Sequence, residues 1–125
     1  MPHRHTLLVV DDEQNVLEVL TRMFDRTCHV ITANTGTEAL EVLRTRRVDL
    51  LITDQRMPEM TGTQLIAQAR AEGIDVTAIL LTAYSSPQDL IAAINQGHVW
   101  RFVSKPWDLN DLTLTVKNAL EVVSL

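Results

Sequence analysis

Apolar residues along this chain alternate between short continuous runs and stretches with helical spacing. The short runs are typical of strands that are buried on both faces of a sheet. They predict five strands, at residues 6–11, 28–33, 48–54, 76–82 and 99–104.

Between these runs, apolar residues recur at the three- and four-residue spacing of amphipathic helices. Five helices are predicted: Glu13 to Asp25, one opening at Thr35, Thr61 to about Glu72, Ser86 to near Gly97, and Asp108 to about Val123. Thr35 with Glu38, and Thr61 with Gln64, have the spacing of a capping box. Gly73 is expected to end the third helix.

Strand and helix thus alternate five times, in the order βαβαβαβαβα. Apolar strands joined by helices of this length require right-handed crossovers, which give a parallel sheet covered on both faces. The chain contains no internal repeat, low-complexity segment or linker. We therefore expect residues 1–125 to form a single α/β domain with a doubly wound, five-stranded parallel sheet.

Composition narrows the classes of function. The chain has 125 residues and a formal net charge of −5, and such an acidic surface argues against direct nucleic-acid binding because it repels phosphates. The single cysteine, Cys28, cannot form an internal disulfide, which fits a reducing cytoplasm. No apolar stretch is long enough to span a bilayer, so we expect no membrane association.

Polar residues that carry chemistry stand where the predicted strands end. Asp11 and Asp12 end the first strand, Asp54 the third, Thr82 the fourth and Lys105 the fifth. Singly, each has an ordinary interpretation as a turn former, a cap or a solvated lysine. Together they would meet at one edge of a parallel sheet, where open α/β folds bind ligands. Three carboxylates there predict a site for a hard cation such as Mg²⁺.

Four motifs then identify a family. LVVDDE at 8–13, DQRMPEMTG at 54–62, LLTAY at 80–84 and KPW at 105–107 resemble, in order and approximate spacing, the receiver domain of two-component response regulators. The resemblance covers essentially the whole chain. It implies a flavodoxin-like (βα)5 fold, and a single receiver domain that forms the N-terminal part of a longer response regulator.

The resemblance also implies a phosphoacceptor and a metal site. Asp54 would accept a phosphoryl group. Mg²⁺, or Mn²⁺ in its place, would be bound directly by Asp12 and Asp54, through water by Asp11, and by the backbone carbonyl of Arg56. Because phosphoryl transfer leaves the protein mainly positioning and charge neutralisation to perform, such a cation suits the chemistry.

The remaining family positions concern the response to the phosphoryl group. Thr82 would bind a phosphoryl oxygen, and Lys105 would pair with the acyl phosphate; the family's Lys-Pro bond, here Lys105-Pro106, is commonly cis. A switch aromatic is expected three residues before the lysine, at Phe102. Trp100 is the alternative because the two share strand parity, and Phe102 also has the ordinary interpretation of a core residue.

Arg56 and Tyr84 stand two residues beyond Asp54 and Thr82, where the family varies, and are predicted to tune phosphate lifetime. The combination of QRMP at 55–58 with Phe102 and KPW resembles receivers that precede AAA+ transcriptional activators or cyclic-di-GMP phosphodiesterases. Val122 and Leu125 lie beyond the main apolar stripe of the last helix. That second side is expected to pack within the fold, to continue into a coiled-coil linker, or to form a homodimer.

Three functions are therefore open. The favoured one is a non-enzymatic switch that is phosphorylated by a sensor histidine kinase or phosphotransfer protein and controls an output domain in cis through the surface near residues 99–104. A phosphorylation-independent pseudo-receiver would be favoured if Arg56 and Trp107 closed the site. A metal-dependent phosphohydrolase is disfavoured, because it needs a second acid or base and a substrate pocket, which the sequence does not indicate.

Overall fold

The computed structural model describes residues 4–82 and 99–123. Within them, five parallel strands form one sheet in the order β2-β1-β3-β4-β5. The strands are β1 (Thr6–Val10), β2 (His29–Ala33), β3 (Leu50–Asp54), β4 (Thr77–Thr82) and β5 (Arg101–Ser104). The predicted parallel sheet is confirmed.

Helices cover both faces of this sheet. The described helices are α1 (Gln14–Phe24), α2 (Gly36–Thr45), α3 (Gly62–Ala71) and α4 (Leu109–Val123). One apolar cluster joins the sheet to α1 and α4, and a second joins it to α2 and α3. The helix predicted from Ser86 to near Gly97, like Tyr84, lies outside the described residues. Of the helices described, none combines the length and apolar character needed to cross a bilayer.

Two-residue alternation along the strands builds these two clusters. On β1, Leu7 belongs to the cluster of α1 and α4, whereas Leu8 belongs to that of α2 and α3. On β3, Ile52 and Leu51 divide in the same way, and the whole strand is buried. A strand buried on both faces needs apolar residues at every position, which is why the strands appear in the sequence as unbroken runs.

Side-chain capping fixes the starts of α2 and α3 as predicted. The Thr35 hydroxyl accepts the Glu38 backbone N–H at 3.0 Å. At α3 both halves of the capping box are present, since Thr61 accepts the Gln64 N–H at 3.2 Å and the Gln64 side chain accepts the Thr61 N–H at 2.9 Å. Gly73 follows the end of α3 with φ of +82°, the left-handed conformation that favours glycine.

The second to fifth strands begin one or two residues later than predicted, and β1 ends at Val10 rather than Asp11. The late start of β5 corrects one expectation. Trp100 and Phe102 do not share a face: Trp100 packs against the cluster of α1 and α4, and Phe102 against that of α2 and α3. The alternation does not reach Trp100 because it precedes the strand, which begins at Arg101.

Candidate functional site

The carboxyl ends of β1 and β3 bring three carboxylates together. Val10 is paired with Thr53 in the parallel register, so the residues that follow them, Asp11 and Asp54, lie at the same edge of the sheet. Asp11 is fully buried, Asp54 is 7% exposed, and Asp12 is exposed. One carboxylate oxygen from each of the three residues lies within 4.8 Å of those of the other two. The sequence prediction that these strand ends converge is confirmed.

Lys105 joins this cluster from the end of β5. Its ammonium donates a hydrogen bond to Asp11 Oδ2 at 2.8 Å and lies 3.2 Å from Asp54 Oδ1. Its backbone N–H donates to the carbonyl of Thr82 at 2.9 Å, which continues the pairing of β4 with β5. The Lys105-Pro106 peptide bond is cis, as expected. The ammonium thus comes within ion-pairing distance of two of the three carboxylates.

The electrostatics of the cluster are those of several like charges sharing one cation. Burial, together with the nearby charge of Asp11, raises the pKa of Asp54 above its ordinary value, while Lys105 acts in the opposite direction. Burial alone would lower the pKa of Lys105, but its hydrogen bond to Asp11 and the charges of Asp54 and Asp11 raise it overall. The lysine is therefore charged at neutral pH, and the carboxylates remain in excess.

This donor set fits a divalent cation. Three carboxylates with one ammonium leave an excess of negative charge, and hard oxygen ligands are what Mg²⁺ and Mn²⁺ prefer. Both oxygens of Asp11 already accept hydrogen bonds, one from the Glu13 N–H at 2.9 Å and one from Lys105. Asp54 also has one oxygen near the Lys105 ammonium, so the protein itself already contacts two of the three carboxylates.

Three other predicted residues lie on β4, on β5 and just after β3. Thr82 is the last residue of β4 and 6% exposed, next to Leu81, which is paired with Asp54. Phe102 is half-buried on β5, opposite Leu80. Arg56 is exposed, two residues beyond Asp54.

Close packing explains the glycine at position 62. It is the first residue of α3, and a Cβ there would lie 2.5 Å from the backbone oxygen of Asp54 and 2.7 Å from a methyl group of Leu80. A side chain at this position would therefore push α3 away from the end of β3. The glycine is required for close approach, and backbone conformation does not explain it.

Sequence reasoning assigned no role to Gln55, whose side chain hydrogen-bonds Thr63 at the start of α3. The sequence offered one signal for this contact. Gln55 is a polar residue that directly follows a buried strand, and Thr63, eight positions later, lies in the first turn of a capped helix. Such a signal is weak, because the contact depends on how the intervening loop folds back.

Known proteins share both the sequence pattern and the fold. Residues 7–117 match the family described as response regulator receiver domain. The transcriptional regulatory protein GlrR of Escherichia coli K12 is 41% identical over 116 residues, covering 92% of this chain and 26% of GlrR. The hydrogenase transcriptional regulatory protein HoxA of Cupriavidus necator is 32% identical over 120 residues, covering 96% of this chain and 25% of HoxA. The chain thus spans about a quarter of the length of these relatives.

A solved structure agrees closely. The signal receiver domain of an HD domain-containing protein from Pseudomonas fluorescens Pf-5 has a TM-score of 0.92 and 33% identity, covering 98% of each chain. A CheY-like receiver domain from Methanospirillum hungatei, at 24% identity and a TM-score of 0.91, shares the fold. With its flavodoxin-like sheet and its carboxylates and lysine at one edge, the chain belongs to the response regulator receiver domain family.

Proposed function

We propose that this chain is a phosphorylation-dependent switch in which Asp54 accepts a phosphoryl group. The observation that carries the proposal is the placement of the Asp54 carboxylate 3.2 Å from the Lys105 ammonium, within a cluster of acids suited to a divalent cation. Membership of the receiver family supports a role in phosphorylation-based signalling. Receiver domains are signalling domains rather than turnover enzymes.

In the proposed step, a carboxylate oxygen of Asp54 forms a bond to phosphorus while the bond from phosphorus to the donor breaks. The donor is a phosphohistidine of a sensor kinase or phosphotransfer protein, or a small acyl phosphate. The bonding electrons leave with the imidazole nitrogen or the carboxylate oxygen of that donor. Lys105 offsets the repulsion between nucleophile and phosphoryl group, and bound Mg²⁺, or Mn²⁺, would supply further charge neutralisation.

Phosphorylation would replace about one negative charge at Asp54 with roughly 1.5 to 2 and add acceptor oxygens. Thr82, at the end of the neighbouring strand β4, is the hydroxyl proposed to bind one of them. Phe102, half-buried on β5, would then change its packing and carry the signal to the surface near residues 99–104. This order of events is typical of a local charge change that biases a packed element.

An output domain in cis completes the proposal. The chain spans only about a quarter of GlrR and HoxA, which supports the idea that it is the N-terminal receiver of a longer regulator. Those relatives are named as transcriptional regulatory proteins, and the structural neighbour comes from an HD domain-containing protein. An output domain of either kind, acting in the cytoplasm, fits the resemblance of the sequence to receivers of activators and phosphodiesterases.

A pseudo-receiver would be favoured if Arg56 and Trp107 closed the site. Arg56 is exposed, and Trp107 packs against the apolar cluster of α1 and α4. Neither observation favours a closed pocket. We therefore keep the phosphorylated switch as the proposed function.

The deciding experiment is the intact mass of the protein after incubation with acetyl phosphate and Mg²⁺. We expect one added phosphoryl group on the wild type and none on Asp54→Asn or in the presence of EDTA. Asp49→Asn changes a second buried aspartate of similar exposure and should still be phosphorylated. Lack of mass gain on the wild type, with both acetyl phosphate and the phosphorylated cognate kinase as donors, would contradict the proposal.

A further inference from the structure

Gln55, the residue after Asp54, fastens the end of β3 to the start of α3. Its backbone N–H donates to Leu81 O at 3.0 Å, and its carbonyl accepts the Gly62 N–H at 3.0 Å. Its side-chain oxygen accepts the Thr63 N–H at 2.9 Å, and its side-chain amide donates to the Thr63 hydroxyl at 3.1 Å. Four hydrogen bonds therefore converge on one residue beside the phosphoacceptor.

These bonds satisfy groups that a helix cannot satisfy itself. The first N–H groups of α3 have no partner within the helix. Gln55 accepts those of Gly62 and Thr63, and the Thr61 hydroxyl accepts that of Gln64. The Gln55 side chain is thus a second cap, supplied from the end of the strand. An apolar side chain at this position could not supply it.

The same bonds close the loop formed by residues 56–61. Met57 is buried within that loop at 9% exposure, and Glu59 has a φ of +71°, a left-handed conformation that is uncommon for non-glycine residues. Arg56, whose carbonyl is proposed as a metal ligand, lies between Gln55 and the buried Met57. Its backbone is held on both sides.

We infer that Gln55 is a positioning residue: its two side-chain bonds to Thr63 hold the loop that carries the Arg56 carbonyl, the group proposed as a metal ligand. This inference rests on the proposed function. It predicts that removing these bonds raises the Mg²⁺ dissociation constant even in variants that remain fully folded. Groups that orient metal ligands typically change metal affinity by about tenfold or more when they are removed.

The test compares two identical substitutions at the same helix end. Gln55→Met removes the bonds to Thr63, whereas Gln64→Met removes the capping-box bond to the Thr61 N–H without touching Gln55. The Mg²⁺ dissociation constant is measured by calorimetry, and amide hydrogen exchange is followed for residues 56–61. We expect Gln55→Met to weaken Mg²⁺ binding by about tenfold and to speed exchange in the loop. Gln64→Met should leave Mg²⁺ affinity nearly unchanged.

Equal changes in Mg²⁺ affinity for the two variants, or none for Gln55→Met, would overturn the inference. If Gln55→Met does not fold, Thr63→Val replaces it, because valine removes the hydroxyl acceptor and keeps the N–H. A smaller weakening in the same direction is then expected, and its absence would count against Gln55. Wild-type protein that binds Mg²⁺ but accepts no phosphoryl group would overturn only the proposed function. Wild-type protein that binds no Mg²⁺ would overturn both.

Discussion

Strand β3 has a buried aspartate at each end, and the two differ in what surrounds them. Asp49 immediately precedes the strand and Asp54 is its last residue, each 7% exposed. The Asp49 carboxylate accepts the Thr6 N–H at 2.7 Å, and its own N–H donates to Thr6 O at 2.9 Å. Asp54 instead lies beside a second carboxylate, Asp11, and the ammonium of Lys105.

The two aspartates are equally buried, but burial has opposite consequences for them. Asp49 meets a backbone donor, and a buried carboxylate that is hydrogen-bonded in this way stabilises the fold. At Asp54, burial and then the like charge of Asp11 raise the pKa, so the ionised form is costly to the folded protein. The carboxylates at the Asp54 end are thus only partly offset by the Lys105 ammonium, whereas the Asp49 carboxylate accepts a hydrogen bond from the backbone.

The largest expected effect comes from removing the Lys105 ammonium, which lies beside Asp54. Lys105→Met should slow phosphoryl uptake from acetyl phosphate by about a hundredfold, the usual scale for losing one charge-stabilising group. The same change should tighten Mg²⁺ binding, because the carboxylates lose their internal counter-ion. Uptake followed by intact mass and binding followed by calorimetry should thus move in opposite directions.

The matched change at the other end is Arg47→Met. The Arg47 guanidinium lies 3.8 Å from Asp49, but its side chain is 87% exposed, and such surface pairs contribute little. Uptake, Mg²⁺ binding and stability should all stay close to wild type. Unchanged phosphoryl uptake in Lys105→Met would contradict the contrast between the two ends.

The next effect is on stability at Asp49. Asp49→Ala leaves the Thr6 N–H without its acceptor, so the free energy of unfolding should fall by about 1–3 kcal/mol. Urea denaturation measures this loss. Phosphoryl uptake by the folded variant should match the wild type, and either full stability or lost uptake would show that Asp49 is not a purely structural residue.

The smallest effect has the opposite sign. In EDTA, at a pH above the raised pKa of Asp54, Asp54→Asn should raise the free energy of unfolding by about 1 kcal/mol, because it removes a buried charge beside Asp11. Since the folded state raises the pKa of Asp54, ionisation destabilises the fold as pH rises from the ordinary value of 3.8 through the raised pKa.

The advantage of Asp54→Asn over wild type should therefore be largest at pH values above the raised pKa of Asp54 and shrink as the pH falls toward 3.8. Urea denaturation at a series of pH values in EDTA tests this, and Mg²⁺ should reduce the difference by stabilising the wild type. An advantage that grows on acidification would mean that the pKa of Asp54 is lowered in the folded protein rather than raised.

Much of the fold was predictable because the physical signals were local. Strands such as Leu50–Asp54 are unbroken apolar runs, and the threonines at 35 and 61 cap the helices that they were predicted to cap. Strand starts were less predictable, because the first residues of a run do not reveal whether their backbone groups pair with a neighbour. Asp49 is an example: it was predicted inside a strand, but it caps the start of β1 from outside the ladder.

Contacts that depend on how a loop folds back onto the sheet were not predictable from the sequence. Trp100 was assigned to the face of Phe102 by alternation, and it lies on the other because it precedes the strand. The Gln55 contact with Thr63 was not anticipated, since the sequence does not state where the intervening loop returns. The requirement at Gly62 likewise follows from the distance between α3 and the end of β3, which only packing sets.

The sequence by itself determined the kinds of elements, their order, and which chemical groups stand at the ends of strands, because periodicity and capping act over a few residues. Only the tertiary structure decided the strand order β2-β1-β3-β4-β5, which places β1 and β3 side by side. It also decided that Lys105 reaches Asp11 across 94 positions of sequence. Hydrogen bonds and charge interactions depend on distance in space, and that distance exists only once the sheet has formed.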